Sequence, residues 1–366
     1  MLQPIRMTFA QLLEKVVNYI QNHQTTREKA GKSIRHAFTQ NGSPSPPEGQ
    51  ISYKINPLML QGSIAGVDSG FISQSYYAMD LLLIHAHAVC FTYEKGKVVQ
   101  TRYLPESFPL PEPIVNEQGL ERDEFHKFVS LTRMQHEMKL GKEIIEKFKP
   151  EYLFIDGSLI PLNGDKPSNE SKLRGDYAKT IEAFVQLYES AEKNNCTLIG
   201  TIEDCRSERL KELLKERMRL QNDVPIEGID LLQDAPLMDK ALNAGERSMA
   251  FTFTNDVRKH SILMDFPQKW AEKLHACYVK PSQWDYPIRS EFLSASNELT
   301  LNADKIAQLV HAQSCLHKEY AFPSVLIEAD LRAKLKPEEV EMVSDKIFSK
   351  IGRHSIHFRR RDRRPF

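Results

Sequence analysis

The chain has 366 residues, of which 41% are hydrophobic and 27% charged, and its 49 basic side chains balance 49 acidic ones. A chain of this size and composition buries a substantial core without disulfides or structural metals, and its neutrality leaves nucleic-acid binding to local clusters of Lys and Arg. The cysteines Cys90, Cys196, Cys205, Cys277 and Cys315 form no C-x-x-C pair and the longest apolar stretch, 81–92, is broken by His85 and His87, which excludes a zinc-type spacing and a membrane span and predicts a cytoplasmic protein with reduced thiols.

Leu12, Leu13, Val16, Val17 and Ile20 recur at helical spacing, so 8–39 reads as a helix. NGSPSPPEGQ at 41–50 is a loop. IAGVD at 64–68 reads as a short buried strand ending on Asp68, with Ser69-Gly70 as the turn after it. A hairpin follows: 81–93, a tip at Lys95-Gly96, and a returning strand over 98–103. The prolines of 105–113 predict a loop. One long helix is expected over 121–149, with Phe125, Phe128, Leu131, Met134, Met138, Ile144 and Ile145 on its apolar side and Pro150 ending it. Residues 152–155 form a strand running into Asp156, 168–194 hold a second long helix, and 197–202 form a strand running into Glu203-Asp204. A charged helix (208–219), strands at 248–254, 276–279 and 288–293, and a helix over 301–319 complete the pattern before VLIEA leads into Asp330 and the final helices. This order predicts α/β architecture with a mixed central sheet flanked by helices, and no repeat. The absence of G-x-G-x-x-G and Walker loops leaves nucleotide hydrolysis without support.

Asp68 in GVDSG and Asp156 in FIDGS carry the chemical argument. Each follows a short apolar strand, where sites in α/β folds gather, and each is followed by small residues that admit a close ligand or backbone. On neighbouring strands the two carboxylates converge and repel, and a divalent cation relieves the conflict. Oxygen donors select Mg²⁺ or Mn²⁺, and further acids complete a two-metal clamp with ions about 3.5–4 Å apart. Glu137 and Glu143 on the intervening helix are candidates. Singly, each acid also reads as a turn residue or a solvated charge. In this order they read as an RNase H-like nuclease.

GVDSG (66–70), RMQHE (133–137), IDGSL (155–159), GERS (245–248) ahead of AFTF, and FPSVLIEAD (322–330) resemble, in sequence order, motifs of the NurA family from about 60 to 335. The resemblance implies an RNase H-like mixed sheet flanked by helices, with a helical N-terminal extension and linker (1–50), a nuclease domain (51–340), and a C-terminal helix and basic tail (341–366). It implies a Mn²⁺- or Mg²⁺-dependent deoxyribonuclease using two ions, with 5′→3′ exonuclease and single-strand endonuclease activity. It also implies a homodimer and a HerA-like hexameric ATPase partner in DNA end processing. Carried over by position, Asp68, Glu137, Asp156 and Asp330 are the catalytic metal ligands. Glu203 stands where members often carry Lys, either removing a phosphate contact or adding an acid. Asp330 stands where many carry His or Asp.

Arg133, Arg174 and Arg206 flank the acidic motifs and are the first candidates for DNA contact. Tyr76 and Tyr77 could stack on bases or pack in the core, and the Arg-rich tail at 354–364 could bind nucleic acid or simply solubilise the chain. His85 and His87 share a strand face and read as structural rather than as a metal pair. Trp270, Trp284 and Phe266 read as packing or dimer residues. Two alternatives stand beside the nuclease: an RNase H-like enzyme acting on RNA or branched DNA, and a non-catalytic subunit of a DNA-translocating ATPase.

Overall fold

Local pattern and tertiary structure agree along most of the chain in the computed structural model, which describes residues 8–40, 48–75, 79–106, 110–220 and 226–351. The elements run α1 (Phe9–Gln40), β1 (Ser52–Lys54), β2 (Gly62–Ser75), β3 (Asp80–Glu94), β4 (Lys97–Leu104), β5 (Glu112–Asn116), α2 (Arg122–Phe148), β6 (Tyr152–Asp156), α3 (Arg174–Asn194) and β7 (Thr197–Ile202). They continue with α4 (Arg209–Leu220), α5 (Asp234–Ala241), β8 (Glu246–Ser248), β9 (Phe251–Thr252), α6 (Gln268–Ala271), β10 (Leu274–Lys280), β11 (Ile288–Leu293), α7 (Leu299–Ser314), α8 (Ser324–Ala333) and α9 (Pro337–Ile351). Tyr76, Tyr77 and the basic tail lie outside the described residues.

The meander β2–β3–β4 is antiparallel, β6 lies parallel to β2, and β7 lies parallel to β6. The resulting order β4-β3-β2-β6-β7 is the RNase H-like arrangement expected from the sequence, and β11, β10, β8 and β1 extend it beyond β7. Side chains alternate across β2. Ala65 and Val67 face α2 and α3, in a core with Met138, Ile144, Phe184 and Leu187. Ile64 faces the other way, with Phe154, Val310, Val325 and Leu326 beneath α7 and α8. Helix α2 begins with Asp123 and Glu124, ends with Lys147, and stops at Lys149 in the left-handed conformation before Pro150.

Several boundaries differ from the sequence reading, each for a tertiary reason. Ser69-Gly70 is not a turn: β2 runs on to Ser75, because β3 pairs with it from Gly62↔Tyr93 through to Ser75↔Asp80. Asp68 therefore lies within a strand and not at its end. Part of the proline-rich segment forms β5, which pairs only with β3. An edge strand tolerates Pro113 because it leaves the outer ladder unused. The strand expected over 248–254 splits into β8 and β9, since the Met249 N–H donates to Ile51 O and the Ala250 N–H to Glu48 Oε2 instead of to a neighbouring strand. VLIEA lies inside α8 itself.

The GERS segment is a structural lock. Arg247 is fully buried, forms a two-pronged pair with Glu48 (2.8 Å to each oxygen) and reaches Asp304 on α7. Glu246 pairs with Arg35 of α1. The second half of α1 is thereby fixed to the domain, with Ala30 and Ile34 buried against the α5 region. The predicted apolar stripe Leu12, Leu13, Val16, Val17 and Ile20 on its first half stays exposed. Among the described residues no helix is long and apolar enough to cross a membrane.

Candidate active site

The GVDSG segment is built for a close approach of α8 to β2. A Cβ on Gly66 would sit 2.9 Å from Val325 O, and one on Gly70 would sit 2.3 Å from Ala333 O. Only glycine fits at either position, so the backbone of α8 lies directly on this face of β2. Asp68, midway between the glycines, points to the same face, and α8 brings Asp330 to it.

The parallel register adds the second acid. Val67 is level with Ile155, and Asp156 with Thr201, so Asp68, Asp156 and the end of β7 stand at the same height of the sheet. Ser69 points to the opposite face, where its hydroxyl donates to Glu137 Oε1 at 2.5 Å. Glu137 also meets Arg133 one helical turn away, at 3.5 Å. The helix thus distinguishes its two candidate acids: Glu137 is buried toward the strand acids and Glu143 is exposed.

Asp68 and Glu137 are buried, Asp156 is half-buried and Asp330 is exposed. Burial pushes Asp68 up to about 6, with Asp330 adding to the rise by charge and hydrogen bonding, while the Ser69 N–H and Arg133 oppose it. Burial pushes Glu137 up to about 7 against the pull of Arg133 and Ser69. Asp156 rises to about 8 through burial and the charges of Asp68, Glu137 and Glu203. Each holds its proton more tightly in the folded protein than in the unfolded chain, where carboxyls titrate near 4. Folding stability from these groups is therefore fully present below about pH 4 and lost as pH rises through 6 to 8. The cation-free protein is expected to melt at a higher temperature at pH 6 than at pH 8 in scanning calorimetry. A transition unchanged or lower at pH 6 contradicts this assignment of burial.

The remaining candidates fall around this group. Arg133 is the cation within it, its guanidinium held charged chiefly by Glu137 and then by Asp68 and Asp156. Arg174 is exposed at the start of α3 and donates to Asn169 O, and Arg206 is exposed in the segment after β7. Glu203 is exposed at the rim, where the Tyr320 hydroxyl donates to it. His85 and His87 bring their Nε2 atoms within 2.8 Å of each other. Burial lowers both, His87 to about 4, so the pair is uncharged at neutral pH.

Sequence reasoning missed Glu291. Its Oε2 accepts from Ser158 Oγ (2.7 Å) and the Leu159 N–H (2.9 Å), and its Oε1 accepts from Arg289 Nε (2.8 Å). It reaches across β7 because the residue paired with it there is Gly200, which also lies beside Ile155 of β6. Glu291 thereby clamps the turn that follows Asp156. The signal was a glycine within the apolar strand TLIGTI and an acid within IRSEFL. Glu291→Ala is expected to strand the buried Arg289 and destabilise the fold by about 3–5 kcal/mol, as breaking a buried ion pair does. Chemical denaturation measures it, and a loss under 1 kcal/mol contradicts the clamp.

An all-oxygen set of acids graded from buried Asp68 and Glu137 through half-buried Asp156 to exposed Asp330, offset by the Arg133 guanidinium, suits a hard divalent cation. Among the described residues, however, no three His, Cys, Asp or Glu side chains are drawn close enough to hold one ion as they stand. These acids stand on a mixed α/β sheet with the RNase H-like strand order. Residues 62–335 match the family model described as NurA domain, and the chain belongs to the NurA family. The fold is similar to the crystal structure of the NurA nuclease from Sulfolobus solfataricus, at 12% identity and TM-score 0.58, over 95% of this chain and 99% of that one. It is also similar to a NurA structure solved with manganese, at 10% identity and TM-score 0.52, over 94% and 99% of the two chains. A search of curated protein sequences gives no match.

Proposed function

We propose that this chain is a nuclease that hydrolyses DNA phosphodiester bonds with the help of Mn²⁺ or Mg²⁺. One observation carries the proposal: Asp68 and Asp156 stand level on adjacent parallel strands with Glu137 behind them, Asp68 and Glu137 buried, Asp156 half-buried, and each held above its ordinary titration range. Asp68, Glu137, Asp156 and Asp330 would hold two ions. Such ions, when bound, supply a water of lowered pKa and neutralise charge on the leaving oxygen. Ser69 orients Glu137 through its hydroxyl, and Glu291 fixes the turn that carries Asp156. Arg133 offsets the carboxylate charge and, with its side chain 36% exposed, is a candidate cation for a substrate phosphate.

Family membership supports the finer reading: 5′→3′ exonuclease and single-strand endonuclease action, a homodimer, and DNA end processing in the cytoplasm with a HerA-like hexameric ATPase. The exposed apolar stripe of α1 offers a face for assembly. The test is to incubate the full chain with end-labelled single-stranded DNA, duplex DNA and RNA of one sequence, in Mn²⁺, Mg²⁺ or EDTA. Cation-dependent cleavage of DNA is expected, and none in EDTA. Cleavage confined to RNA favours the other RNase H-like enzyme. A second reading, a non-catalytic subunit of a DNA-translocating ATPase, rests on Glu203, an acid exposed at the rim of the site where members often carry Lys. Capture of such an ATPase without any cleavage in Mn²⁺ would establish it.

A further inference from the structure

Three exposed aromatic residues lie at the same end of the sheet as the acids. Strand β11 runs antiparallel to β7, with Arg289 level with Ile202, so the segment PSQWDYP just before β11 emerges beside Glu203. Trp284 and Tyr286 in this segment are 66% and 54% exposed. The segment is held on a hydrogen-bonded frame. Ser282 Oγ donates to Lys318 O at 2.6 Å, and Asp285 Oδ2 accepts the Ala321 N–H at 2.7 Å. Adjacent to Ala321 is Tyr320, half-exposed, whose hydroxyl donates to Glu203 and whose surroundings include Asp156 and Asp330. The rings of Trp284, Tyr286 and Tyr320 thus stand on two loops tied to each other at the lip of the acidic site. Of the two tryptophans read as packing or dimer residues, Trp284 is solvent-exposed, whereas Trp270 is buried at 2% exposure and serves the core.

Large exposed aromatic rings on a fixed frame lose little entropy on binding and offer flat faces. Beside a site for a backbone phosphate, the partner with a matching flat face is an unpaired base. A paired base inside a duplex presents no free face. We propose that Trp284, Tyr286 and Tyr320 form a stacking subsite for unpaired bases of a nucleic-acid strand next to the scissile phosphate. This rests on the nuclease reading of the acids, and it makes single strands and frayed ends the substrates held best.

The two tryptophans make the proposal directly readable. Oligothymidylate is added to the full chain in EDTA, so that nothing is cleaved, and tryptophan emission is followed while anisotropy of a labelled strand reports binding independently. Saturable quenching is expected with oligothymidylate and little with a blunt hairpin duplex. It is expected to vanish in Trp284→Phe, which leaves only the buried Trp270. Trp284→Ala and Tyr286→Ala are each expected to weaken single-strand affinity about 5- to 150-fold, the range for loss of one stacked base. Both positions are exposed, so their folded state is checked by an unchanged melting transition. The proposal is overturned if the strand binds without quenching, if both alanine variants bind as the wild type does, if duplex quenches equally, or if no strand binds. Quenching that depends on protein concentration without any oligonucleotide makes the patch a contact between copies and also overturns it. Quenching without Mn²⁺-dependent cleavage leaves the subsite standing and refutes the nuclease reading, and the reverse pattern refutes the subsite alone.

Discussion

Asp156→Asn is expected to abolish most cation-dependent cleavage and, in the same protein, to raise thermal stability near pH 8. The first effect follows from loss of an anionic oxygen that would hold the cation supplying the attacking water and neutralising the leaving oxygen; a fall of about 10²-fold or more is expected, since even a group that only hydrogen-bonds to a metal ligand is worth about 10–100-fold. The second follows from the position of the carboxyl, which burial and the neighbouring acids push up to about 8. Near pH 8 the folded wild type must either ionise this half-buried carboxyl or hold a proton that the unfolded chain has released, a cost that the amide does not bear. Below about pH 4 the carboxyl is protonated in both the folded and unfolded states, so the advantage of Asn disappears. Cleavage of end-labelled single-stranded DNA measures the loss, and calorimetry from pH 8 downward measures the gain. A variant with reduced activity and reduced stability at pH 8 would place Asp156 among the structural residues. Stability exchanged for function marks a site.

The second large effect concerns Gly70. Its neighbour across the interface is the Ala333 carbonyl oxygen, 2.3 Å from where a Cβ would sit. Backbone cannot rotate away as a side chain does, so Gly70→Ala forces α8 off β2. Overpacking of this kind costs about 1–3 kcal/mol. The same displacement draws Asp330 from Asp68, so activity is expected to fall further than stability explains, measured at a temperature where the variant remains folded. Gly175→Ala is the control. It lies in the first turn of α3 with nothing within 4 Å of the added carbon, and alanine favours a helix over glycine by about 1 kcal/mol. Full activity in a folded Gly70→Ala protein would show that α8 does not need this approach.

Much of the sheet was legible because its signals are local. FIDGS places an acid at the end of a short apolar strand, and TLIGTI and IRSEFL coincide with β7 and β11 at both ends. Asp68 was identifiable as an acid on a strand, but its place within that strand was not. Ser69-Gly70 has turn composition, and only the long partner β3 carries the strand past it. The same glycine that suggests a turn in the sequence is an accommodation for α8 in three dimensions. Glu137 and Glu143 are indistinguishable by composition, since burial of one depends on where α2 lands on the sheet. Arg247 and Glu48 are 199 positions apart, and Glu291 is 132 from the Leu159 amide it holds. No local pattern reports such pairs. GERS was read as part of the nuclease pattern, and the structure gives it the role of fixing α1 and the segment before β1. Packing and dimer roles could not be separated for Trp284 and Trp270, because hydrophobic type alone does not say whether a ring is buried or displayed.

The most direct test of the central claim is Mn²⁺-dependent hydrolysis of single-stranded DNA by Asp68→Ala beside the wild type, with both proteins shown to be folded. Asp68 joins β2, α8 and the field of Asp156, so its loss removes the group on which the proposed site converges. Wild-type cleavage that requires Mn²⁺ and is lost in Asp68→Ala is the predicted result. Full Mn²⁺-dependent activity in Asp68→Ala would contradict it, and would move the chemistry away from the acids of β2 and β6.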